Sequence, residues 1–419
     1  MVVPASSANT RDEAFTALPA SALATVSNVP YAIYVHVPFC AARCGYCAFN
    51  TYTAGELGGD DLRRGYAAAA RREIAAARAA LAPHAPMVRT VFFGGGTPTL
   101  LDPTDLCGIL ATVREHFPVV DDLEVTVEAN PDSVDQRTLE SLRAGGVTRL
   151  SFGMQSVRSH VLAVLERSHT PGAAAQAVAH AYAAGFEHVS LDLIYGTPGE
   201  TDADWRASLD AAIAAGPDHV SAYALTVEPR TRLAAKVRSG RLPAPDDDVL
   251  VRRYELADDI LRDAGYGWYE LSNWARSPAA RCRHNLVYWR NQNWWGVGPG
   301  AHSHVGGTRW WNLAHPAVYG DALAAGHLPA AGHEVLDGEA QRIERILLAV
   351  RLADGFVADI DPVALDSLVM DGLVTVVGQS RPPRVVLSRR GRSLADLVAR
   401  RVVDSRAATS AFFASVINS

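Results

Sequence analysis

The stretch Tyr31-Ala-Ile-Tyr-Val-His-Val-Pro-Phe-Cys40-Ala-Ala-Arg-Cys44-Gly-Tyr-Cys47 decides the fold of this chain. Its apolar first part predicts a β-strand that stops at Pro38, because proline cannot donate a hydrogen bond to a strand ladder. Its second part places Cys40, Cys44 and Cys47 on one short loop at the carboxyl end of that strand. Three thiolates at these spacings can all face one soft metal centre.

A [4Fe–4S] cluster fits this loop better than zinc or disulfides do. Such a cluster normally takes four thiolates, so three local cysteines leave one iron open for a ligand that is not protein. Structural zinc prefers four tetrahedral ligands, usually in two pairs, and the sequence has no second pair. An odd count of 5 Cys without a secretory context argues against disulfides. We therefore expect a cluster held by Cys40, Cys44 and Cys47.

Length and composition favour a globular protein of two or three domains. The chain has 419 residues, 48% of them hydrophobic and 20% charged, and its net charge is −6. This charge gives no indication of nucleic acid or an anionic membrane as a partner. The sequence has no apolar run of the roughly 18 residues that a membrane span needs. We expect a cytoplasmic protein that is not an integral membrane protein and does not bind nucleic acid.

The chain divides by composition into a leader and three larger regions. Residues 1–28 are rich in Ala and Ser and lack a basic segment, which predicts a disordered leader rather than a signal peptide. Residues 29–240 alternate six β-prone runs with helical runs, which predicts a parallel sheet with right-handed crossovers. The fold class is α/β, and we expect a partial (β/α)6 barrel rather than a flat doubly wound sheet.

Two further regions follow the predicted barrel. Residues 241–335 begin with a linker helix, and seven of the 8 Trp lie between Trp268 and Trp311. Residues 336–405 have a helix–helix–hairpin–helix pattern, which predicts a C-terminal winged-helix-like α+β domain. Its excess of arginine is compatible with DNA binding, but such a module more often docks over an active site or binds a protein partner.

The CxxxCxxC pattern resembles that of the radical S-adenosylmethionine (SAM) superfamily, in which SAM chelates the open iron of the cluster. Gly94-Gly-Gly-Thr-Pro98 follows a strand, and its glycines would let backbone N–H groups approach a ligand closely. Glu128, Gln155 and Asp192 each lie at a predicted strand end, and Arg167 follows one helix later. In a purely structural interpretation, these residues cap helices and form salt bridges in the barrel. Their functional interpretation is a polar ring around SAM.

Several motifs together resemble the oxygen-independent coproporphyrinogen III oxidase family over roughly residues 30 to 400. They include Tyr34-Val-His-Val-Pro-Phe-Cys40, the Gly-Gly-Gly-Thr-Pro loop, Gln155-x11-Arg167 and Asp192-Leu-Ile-Tyr-Gly. The resemblance implies that His36 lies near the cluster and that cluster and SAM contact a larger set of residues. These residues are Tyr34, Cys40, Cys44, Tyr46, Cys47, Gly95, Gly96, Thr97, Glu128, Gln155, Arg167 and Asp192.

Two features are similar to the heme chaperone branch of this family. Oxidases of the family resemble CxxxCxxCxC, whereas Phe49 stands at the fourth-cysteine position here. The chaperone branch resembles CxxxCxxCxF and has an HNxxYW motif, which is His284-Asn-Leu-Val-Tyr288-Trp289 in this chain. The resemblance implies heme binding and transfer to hemoprotein acceptors such as respiratory enzymes at the membrane surface, without coproporphyrinogen oxidation. The alternative is radical SAM oxidative decarboxylation of coproporphyrinogen III.

The residues of the HNxxYW motif also suit heme by their own chemistry. His284 is a neutral imidazole near neutral pH and a good iron ligand, and Tyr288 would share its helical face. Trp289 and its neighbouring tryptophans could flank a flat macrocycle. The alternative is that this aromatic block packs against the open side of the barrel and that His284 only hydrogen-bonds backbone. Cys282 is either a second heme ligand or a buried thiol without a role.

Overall fold

Six parallel strands run through the first half of the chain and are hydrogen-bonded neighbours in sequence order. The computed structural model describes residues 15, 17–167, 170–357, 360–378 and 382–405. Within these ranges the six strands are β1 Tyr31–Val37, β2 Val88–Gly95, β3 Val119–Ala129, β4 Arg149–Gln155, β5 His188–Tyr195 and β6 His219–Ala224. A doubly wound sheet would reverse this order at a switch point. The absence of a reversal among these strands confirms the predicted partial (β/α)6 barrel.

Helices connect these strands and cover the outer face of the sheet. Their starts follow local capping chemistry: the Asp102 carboxylate accepts the N–H of Thr104, and Thr201 and Asp204 form a reciprocal capping box. The helices up to residue 263 are α1 Ala20–Leu23, α2 Asp61–Ala80, α3 Pro103–His116, α4 Gln136–Ala144, α5 Ser159–Leu165, α6 Ala173–Ala183, α7 Asp202–Ala215, α8 Arg232–Arg238 and α9 Asp247–Asp263.

The tryptophan-rich segment extends the same sheet at both edges. Its strands are β7 Gly267–Glu270, β8 Asn273–Ala275, β9 Asn293–Val297, β10 His302–Val305, β11 Thr308–Asn312 and β12 Ala330–Val335, and its helices are α10 Arg283–Trp289 and α11 Pro316–Ala324. β9 pairs with β1 in parallel, and β8 pairs with β6 in antiparallel fashion. The segment therefore builds a mixed sheet of twelve strands within the described residues rather than a separate layer.

The predicted disorder of the leader is wrong for its last part. Residues 1–14 and 16 lie outside the described residues. Beyond them, Phe15 stacks on Trp310 with ring centroids 5.1 Å apart, and Ala22 and Val26 are buried in the main core. Apolar side chains within this Ala/Ser-rich sequence thus pack against strands that follow almost 300 residues later.

The C-terminal region forms a small antiparallel sheet with helices around its own apolar cluster. Its elements are α12 Gly338–Ala349, β13 Phe356–Val357, α13 Pro362–Met370, β14 Val374–Val377, β15 Arg384–Leu387 and α14 Arg389–Ser393, followed by a helix over residues 395–405. The cluster includes Val350, Leu368 and Val398. These features agree with the predicted α+β fold of this region.

Several arginines of the C-terminal region form contacts inside the protein. The Arg392 guanidinium lies 3.8 Å from the ring centroid of Trp268 and 2.9 Å from the carboxylate of Asp258. Arg389 pairs with Asp259 at 2.7 Å. These arginines therefore fasten the region to α9 and β7.

Of the helices that the structure describes, none combines the length and the apolar character required to cross a membrane.

Candidate functional site

The three predicted cluster ligands lie on one loop at the carboxyl end of β1. Cys40, Cys44 and Cys47 are half-buried free thiols. The base of the loop is closed where the N–H of Cys40 donates to the carbonyl of Tyr52 at 2.9 Å. Burial raises the pKa of Cys40 to about 11, and the charges of Cys47 and Cys44 add to this effect. The thiols are therefore close enough to influence one another.

The loop is also fixed to the barrel at its middle. The N–H of Gly45 donates to the carbonyl of Leu165 at 3.0 Å, and the carbonyl of Gly45 accepts the N–H of Leu233 at 2.8 Å. A Cβ atom at Gly45 would lie 2.9 Å from the Cδ of Glu166. The loop is therefore held between the end of α5 and the start of α8, and a side chain at position 45 would have to displace the Glu166 carboxylate.

The donor set fits an iron–sulfur cluster better than a single metal ion. Among the described residues, no three His, Cys, Asp or Glu side chains are placed to share one ion. A [4Fe–4S] cluster instead takes its thiolates on separate irons, so its ligands can be spread along a loop. Burial also raises the pKa of Cys47, and bound iron would replace the thiol protons.

Arg167 lies directly beside this loop. Its Nη1 is 3.3 Å from the Sγ of Cys44, and its Nη2 donates to the Oδ1 of Asn130 and to the carbonyl of Gly153 at 3.4 Å. A Cβ at Gly153 would lie 2.7 Å from Nη2. Arg167, which the sequence predicts among the residues around cluster and SAM, thus lies beside the cysteine loop. Its hydrogen bonds fix the position of the guanidinium there.

The glycine loop after β2 packs tightly against the cysteine loop. Gly95 has a φ of +112°, and a Cβ there would lie 2.6 Å from the His36 ring. A Cβ at Gly96 would lie 2.4 Å from the carbonyl oxygen of Phe39 and 3.0 Å from the Sγ of Cys40. The glycines are therefore required by close packing of the two loops.

The N–H groups of this glycine loop already have partners inside the protein. The Gly95 N–H donates to the Glu128 carboxylate at 3.1 Å, while those of Gly96 and Thr97 donate to the carbonyls of Val37 and Phe39, both at 2.8 Å. The expectation that these N–H groups face a ligand is therefore wrong. Their bonds instead fix the relative position of the glycine and cysteine loops.

Two buried carboxylates lie on neighbouring parts of the sheet, Glu128 at the end of β3 and Asp192 within β5. Burial, together with the charge of Asp192, raises the pKa of Glu128 to about 8. Asp192 accepts hydrogen bonds from the hydroxyls of Ser151 at 2.8 Å and Ser190 at 3.4 Å, and burial raises its pKa as well. Burial and the neighbouring charge both disfavour the ionised form of Glu128, and a ligand that carries hydroxyls or positive charge would be favoured between the two groups.

Gln155 and Tyr46 complete the predicted set around the loop. Gln155 is buried with a φ of +62°, a backbone conformation that is unfavourable for this residue and is found most often at functional sites. A Cβ at Gly153 would lie 2.9 Å from its Nε2, so Gln155 lies close to Arg167. The ring of Tyr46 packs on an apolar cluster that includes Leu165 and Leu233, below the cysteine loop.

The HNxxYW motif forms α10, and a buried carboxylate caps its first turn. Glu124, in the middle of β3, accepts the backbone N–H groups of Arg283 at 3.0 Å and His284 at 2.8 Å. These N–H groups have no partner inside the helix, so a carboxylate stabilises them. Sequence reasoning missed Glu124, although an acid between apolar strand residues was a signal for it.

The His284 ring is fully enclosed by protein groups. Its Nδ1 lies 2.8 Å from the Thr90 hydroxyl, and its Nε2 lies 2.9 Å from the Tyr288 hydroxyl. Phe92 lies against the ring with a centroid distance of 5.0 Å. Burial lowers the pKa of His284 to about 3, so the imidazole is neutral at physiological pH. Its partners are side chains, not the backbone groups that the structural alternative expected.

The two aromatic residues of the motif point in different directions. Tyr288 packs edge-on against Trp294 with centroids 4.9 Å apart. Trp289 instead packs among residues that include Tyr269 and Leu352, on the side of the C-terminal region. As the spacing predicts, Tyr288 shares the helical face of His284, whereas Trp289 lies on another face of α10. Five residues along a helix turn a side chain by more than a third of a revolution away.

Tyr34 connects the two groups of predicted residues. Its hydroxyl lies 2.9 Å from the Nδ1 of His36, whose Nε2 lies 2.9 Å from the carbonyl oxygen of Asn50 in the cysteine loop. On its other side, its ring centroid is 6.4 Å from that of His284. Cysteine loop and α10 are thus joined through a short chain of side chains, and the buried His36 is a member of it.

The end of the cysteine loop rests on a glycine-rich turn after β9. The Asn50 side chain donates to the carbonyls of Pro299 at 2.9 Å and Ala314 at 2.8 Å. A Cβ at Gly298 would lie 2.3 Å from the carbonyl oxygen of His36. Phe49, at the position of a fourth cysteine in the oxidases, has 69% of its surface exposed. Asn50 is a second positioning residue that sequence reasoning missed.

Known proteins with similar sequences include heme chaperones and other radical SAM proteins. The radical SAM superfamily profile matches residues 34–212. The heme chaperone HemW of Mycobacterium tuberculosis is 51% identical over 90% of this chain and 96% of its own length. HemW of Bacillus subtilis is 34% identical over 77% of this chain and 83% of its own. The mitochondrial radical S-adenosyl methionine domain-containing protein 1 of Mus musculus is 38% identical over 65% of this chain and 60% of its own.

A solved structure gives an independent comparison of the fold. The coproporphyrinogen III oxidase of Escherichia coli, described as a radical SAM enzyme, superposes with a TM-score of 0.76 over 92% of this chain and 91% of its own. Its sequence identity is 23%. The likeness therefore establishes a shared architecture, including the C-terminal region, and says nothing about which reaction this chain performs.

Proposed function

The chain belongs to the HemW family within the radical SAM superfamily, and from this membership we propose that it binds heme and transfers it to hemoprotein acceptors. The observation that carries the proposal is the 51% identity to a heme chaperone over 90% of the chain. An alignment of this length includes α10, and the radical SAM profile, which matches from residue 34, includes the cysteine loop. Respiratory enzymes at the membrane surface are the proposed acceptors, reached from the cytoplasm, where a labile cluster is protected.

Cys40, Cys44 and Cys47 would hold the [4Fe–4S] cluster in this proposal. When bound, the cluster supplies one iron with an open coordination position. The chain fixes the loop through Gly45 and positions the Arg167 guanidinium 3.3 Å from the Cys44 sulfur. A positive charge at this place stabilises thiolates. It would also attract the carboxylate of SAM.

SAM would occupy the space between the cysteine loop and the strand ends. Its ribose carries two hydroxyls, which suit the Glu128 and Asp192 carboxyl groups as hydrogen-bond partners. Its sulfonium is positively charged, and a positive charge beside Glu128 favours the ionised form of that group. Gln155 and Arg167 would bind the ribose and the carboxylate. Gly95, Gly96 and Thr97 would shape the pocket, with Tyr34 and Tyr46 on its sides.

His284 is the proposed axial ligand of heme. Its low pKa keeps the imidazole neutral, which is the form that binds iron. Iron ligation through Nε2 requires that Tyr288 rotate away from the ring, because its hydroxyl lies 2.9 Å from that atom. We therefore place a local opening of α10 in the heme-binding step. The contact of Tyr34 with His284 offers a route by which SAM and cluster would influence this opening.

One preparation can test the proposal against the alternative activity. The protein, reconstituted with iron and sulfide under anaerobic conditions, should shift the Soret band of added hemin. It should then pass this heme to apomyoglobin, and His284→Ala should reduce the shift strongly. With SAM, a reductant and coproporphyrinogen III, it should release no protoporphyrinogen IX. Sustained decarboxylation without heme transfer would instead establish the oxidase.

A further inference from the structure

A cavity of about 660 Å³ lies where the carboxyl end of α10 meets α12 and β13. Four arginines contribute to its lining, namely Arg290, Arg342, Arg345 and Arg384. Among the described residues that line it, Asp354 carries the one carboxylate. Arginine stays protonated at all physiological pH values. Arg342 pairs with Glu339 at 2.6 Å and Arg290 with Asp354, so the excess of positive charge comes from Arg345 and Arg384. Its volume falls in the range of about 300–1,000 Å³ that is usual for small-molecule sites.

The arginines are held in place to different degrees. Arg290 pairs with Asp354 at 2.9 Å, and Arg384 donates to the backbone carbonyl oxygens of Asp354 at 2.9 Å and Gly355 at 3.2 Å. These bonds fix two guanidinium groups on one side of the cavity. Arg345 is exposed and forms no ion pair with any residue that the structure describes. A ligand anion would therefore find two positioned cations and one that is available for pairing.

The remaining wall of the cavity is apolar. Ile346, Leu352 and Phe356 line it together with smaller residues. Leu352 also belongs to the cluster against which Trp289 packs, and Arg290, the residue directly after the HNxxYW motif, lines the cavity. A site of this kind suits a ligand with a flat apolar body and carboxylates at one edge, because arginine binds carboxylates in a bidentate manner.

We propose that this cavity binds the propionate edge of heme, as a porphyrin site separate from His284. This inference rests on the proposed function, because heme is the porphyrin that a chaperone of this family would carry. Among its described lining residues there is no His, Cys, Met or Tyr to ligate iron. The His284 ring lies elsewhere, between Thr90 and Tyr288. Recognition in the cavity is therefore independent of the metal and depends on the two carboxylates.

Metal-free protoporphyrin IX is the probe that isolates this site. Titration of the full-length protein, followed by porphyrin fluorescence, should give saturable binding that weakens with added salt. Protoporphyrin IX dimethyl ester, which has the same ring without the carboxylate charges, should not bind. Arg345→Glu should weaken protoporphyrin IX binding at least tenfold, and Arg345→Lys should stay within about threefold of the original protein. Because Arg345 is exposed, neither change should affect folding, and urea unfolding checks this.

Arg400→Glu serves as the matched control, since Arg400 is an exposed arginine of the same region outside the cavity. It should bind protoporphyrin IX like the original protein. Equal affinity of the original protein and Arg345→Glu, or no binding by the original protein, overturns the cavity proposal. The part of the hemin Soret shift that is lost in His284→Ala reports on His284. If this shift is present in such a case, the proposed function stands without the cavity. Porphyrin binding that depends on Arg345, without this Soret shift, would support the cavity proposal and contradict heme ligation by His284.

Discussion

The Nε2 atom of His284 lies 2.9 Å from the hydroxyl of Tyr288, one turn further along α10. The nitrogen that would ligate heme iron thus already has a partner in the same helix. On the other side of the ring, Thr90 holds Nδ1 at 2.8 Å. Both ring nitrogens of this buried neutral imidazole are therefore occupied, and in the proposed heme-binding step Tyr288 would have to move before Nε2 could bind iron.

The first prediction follows from this bond. Tyr288→Phe removes the hydroxyl that competes with iron for Nε2 and leaves the ring that packs on Trp294. A hydrogen bond of this kind contributes about 0.5–1.5 kcal/mol, so hemin should bind His284 about 2–10 times more tightly. The measurement is a hemin titration followed by the Soret band, with His284→Ala in the same series.

Tyr182→Phe is the control for this change, because Tyr182 donates its hydroxyl to the carbonyl of Gly216 far from α10. It should leave the titration unchanged. Weaker hemin binding in Tyr288→Phe would mean that the hydroxyl takes part in heme binding itself, and the interpretation that Tyr288 has to move would be wrong.

The second prediction concerns the cap of α10. Glu124→Ala would leave the backbone N–H groups of Arg283 and His284 without an acceptor in a buried place. This should lower the free energy of unfolding by about 1–3 kcal/mol and weaken the Soret shift, since α10 carries His284. Urea unfolding and hemin titration measure the two effects. Glu124→Gln keeps one acceptor oxygen and should lose less.

Asp122→Ala provides the comparison at the same strand. Asp122 is exposed and pairs with the Arg283 side chain at 2.6 Å, and exposed ion pairs contribute about 0–1 kcal/mol. If Glu124→Ala were no more harmful than Asp122→Ala, the cap would have no special role in holding α10.

Parts of this architecture could be predicted because they depend on neighbouring residues. β1 has the predicted apolar run and ends directly before Pro38. α13 begins at Pro362, as predicted, after its capping residue Asp361. The positions of the cysteine loop and of the polar residues at the strand ends follow from the alternation of strands and helices, since parallel strands end at one edge of the sheet.

Other parts could not be predicted because they depend on distant pairs. Glu124 meets His284 across 160 positions, and Asn50 meets Pro299 across 249. No local pattern records such a pairing. The direction of Trp289 depends in the same way on a C-terminal region whose docking surface the sequence does not show.

The third prediction tests the cluster ligands. Replacing any one of Cys40, Cys44 and Cys47 by Ser should abolish the broad visible absorption of the reconstituted protein. The original protein should contain about four iron per chain, as the cluster formula requires. Cys107→Ser and Cys282→Ser should retain the full spectrum, because these thiols lie on α3 and at the start of α10. A complete cluster in the triple variant would exclude the loop as its site.

The last prediction concerns Glu73 of α2, which is buried beneath the glycine-rich turn after β9. Its carboxylate accepts hydrogen bonds from the Tyr319 hydroxyl at 2.5 Å, the Asn312 amide at 2.7 Å and the Gly298 N–H at 2.8 Å. Burial nevertheless raises its pKa to about 7, from an ordinary value of 4.5. The folded protein therefore binds a proton here that the unfolded chain has already released.

The sign of the pH effect follows from this difference in proton binding. A raised folded pKa gives a contribution to stability that is complete below about pH 4.5 and is lost as the pH rises to about 7. Glu73→Gln cannot ionise and lacks this loss. Relative to Glu73→Gln, the original protein should therefore lose about 3 kcal/mol of unfolding free energy over this interval. Urea unfolding of both proteins at pH 5, 6, 7 and 8 measures this difference in unfolding free energy. The other buried acids are the same in both proteins, so their contributions cancel. A constant difference across this range would show that Glu73 is ionised throughout, with its four donors, which include the Trp295 indole at 3.4 Å, outweighing the effect of burial.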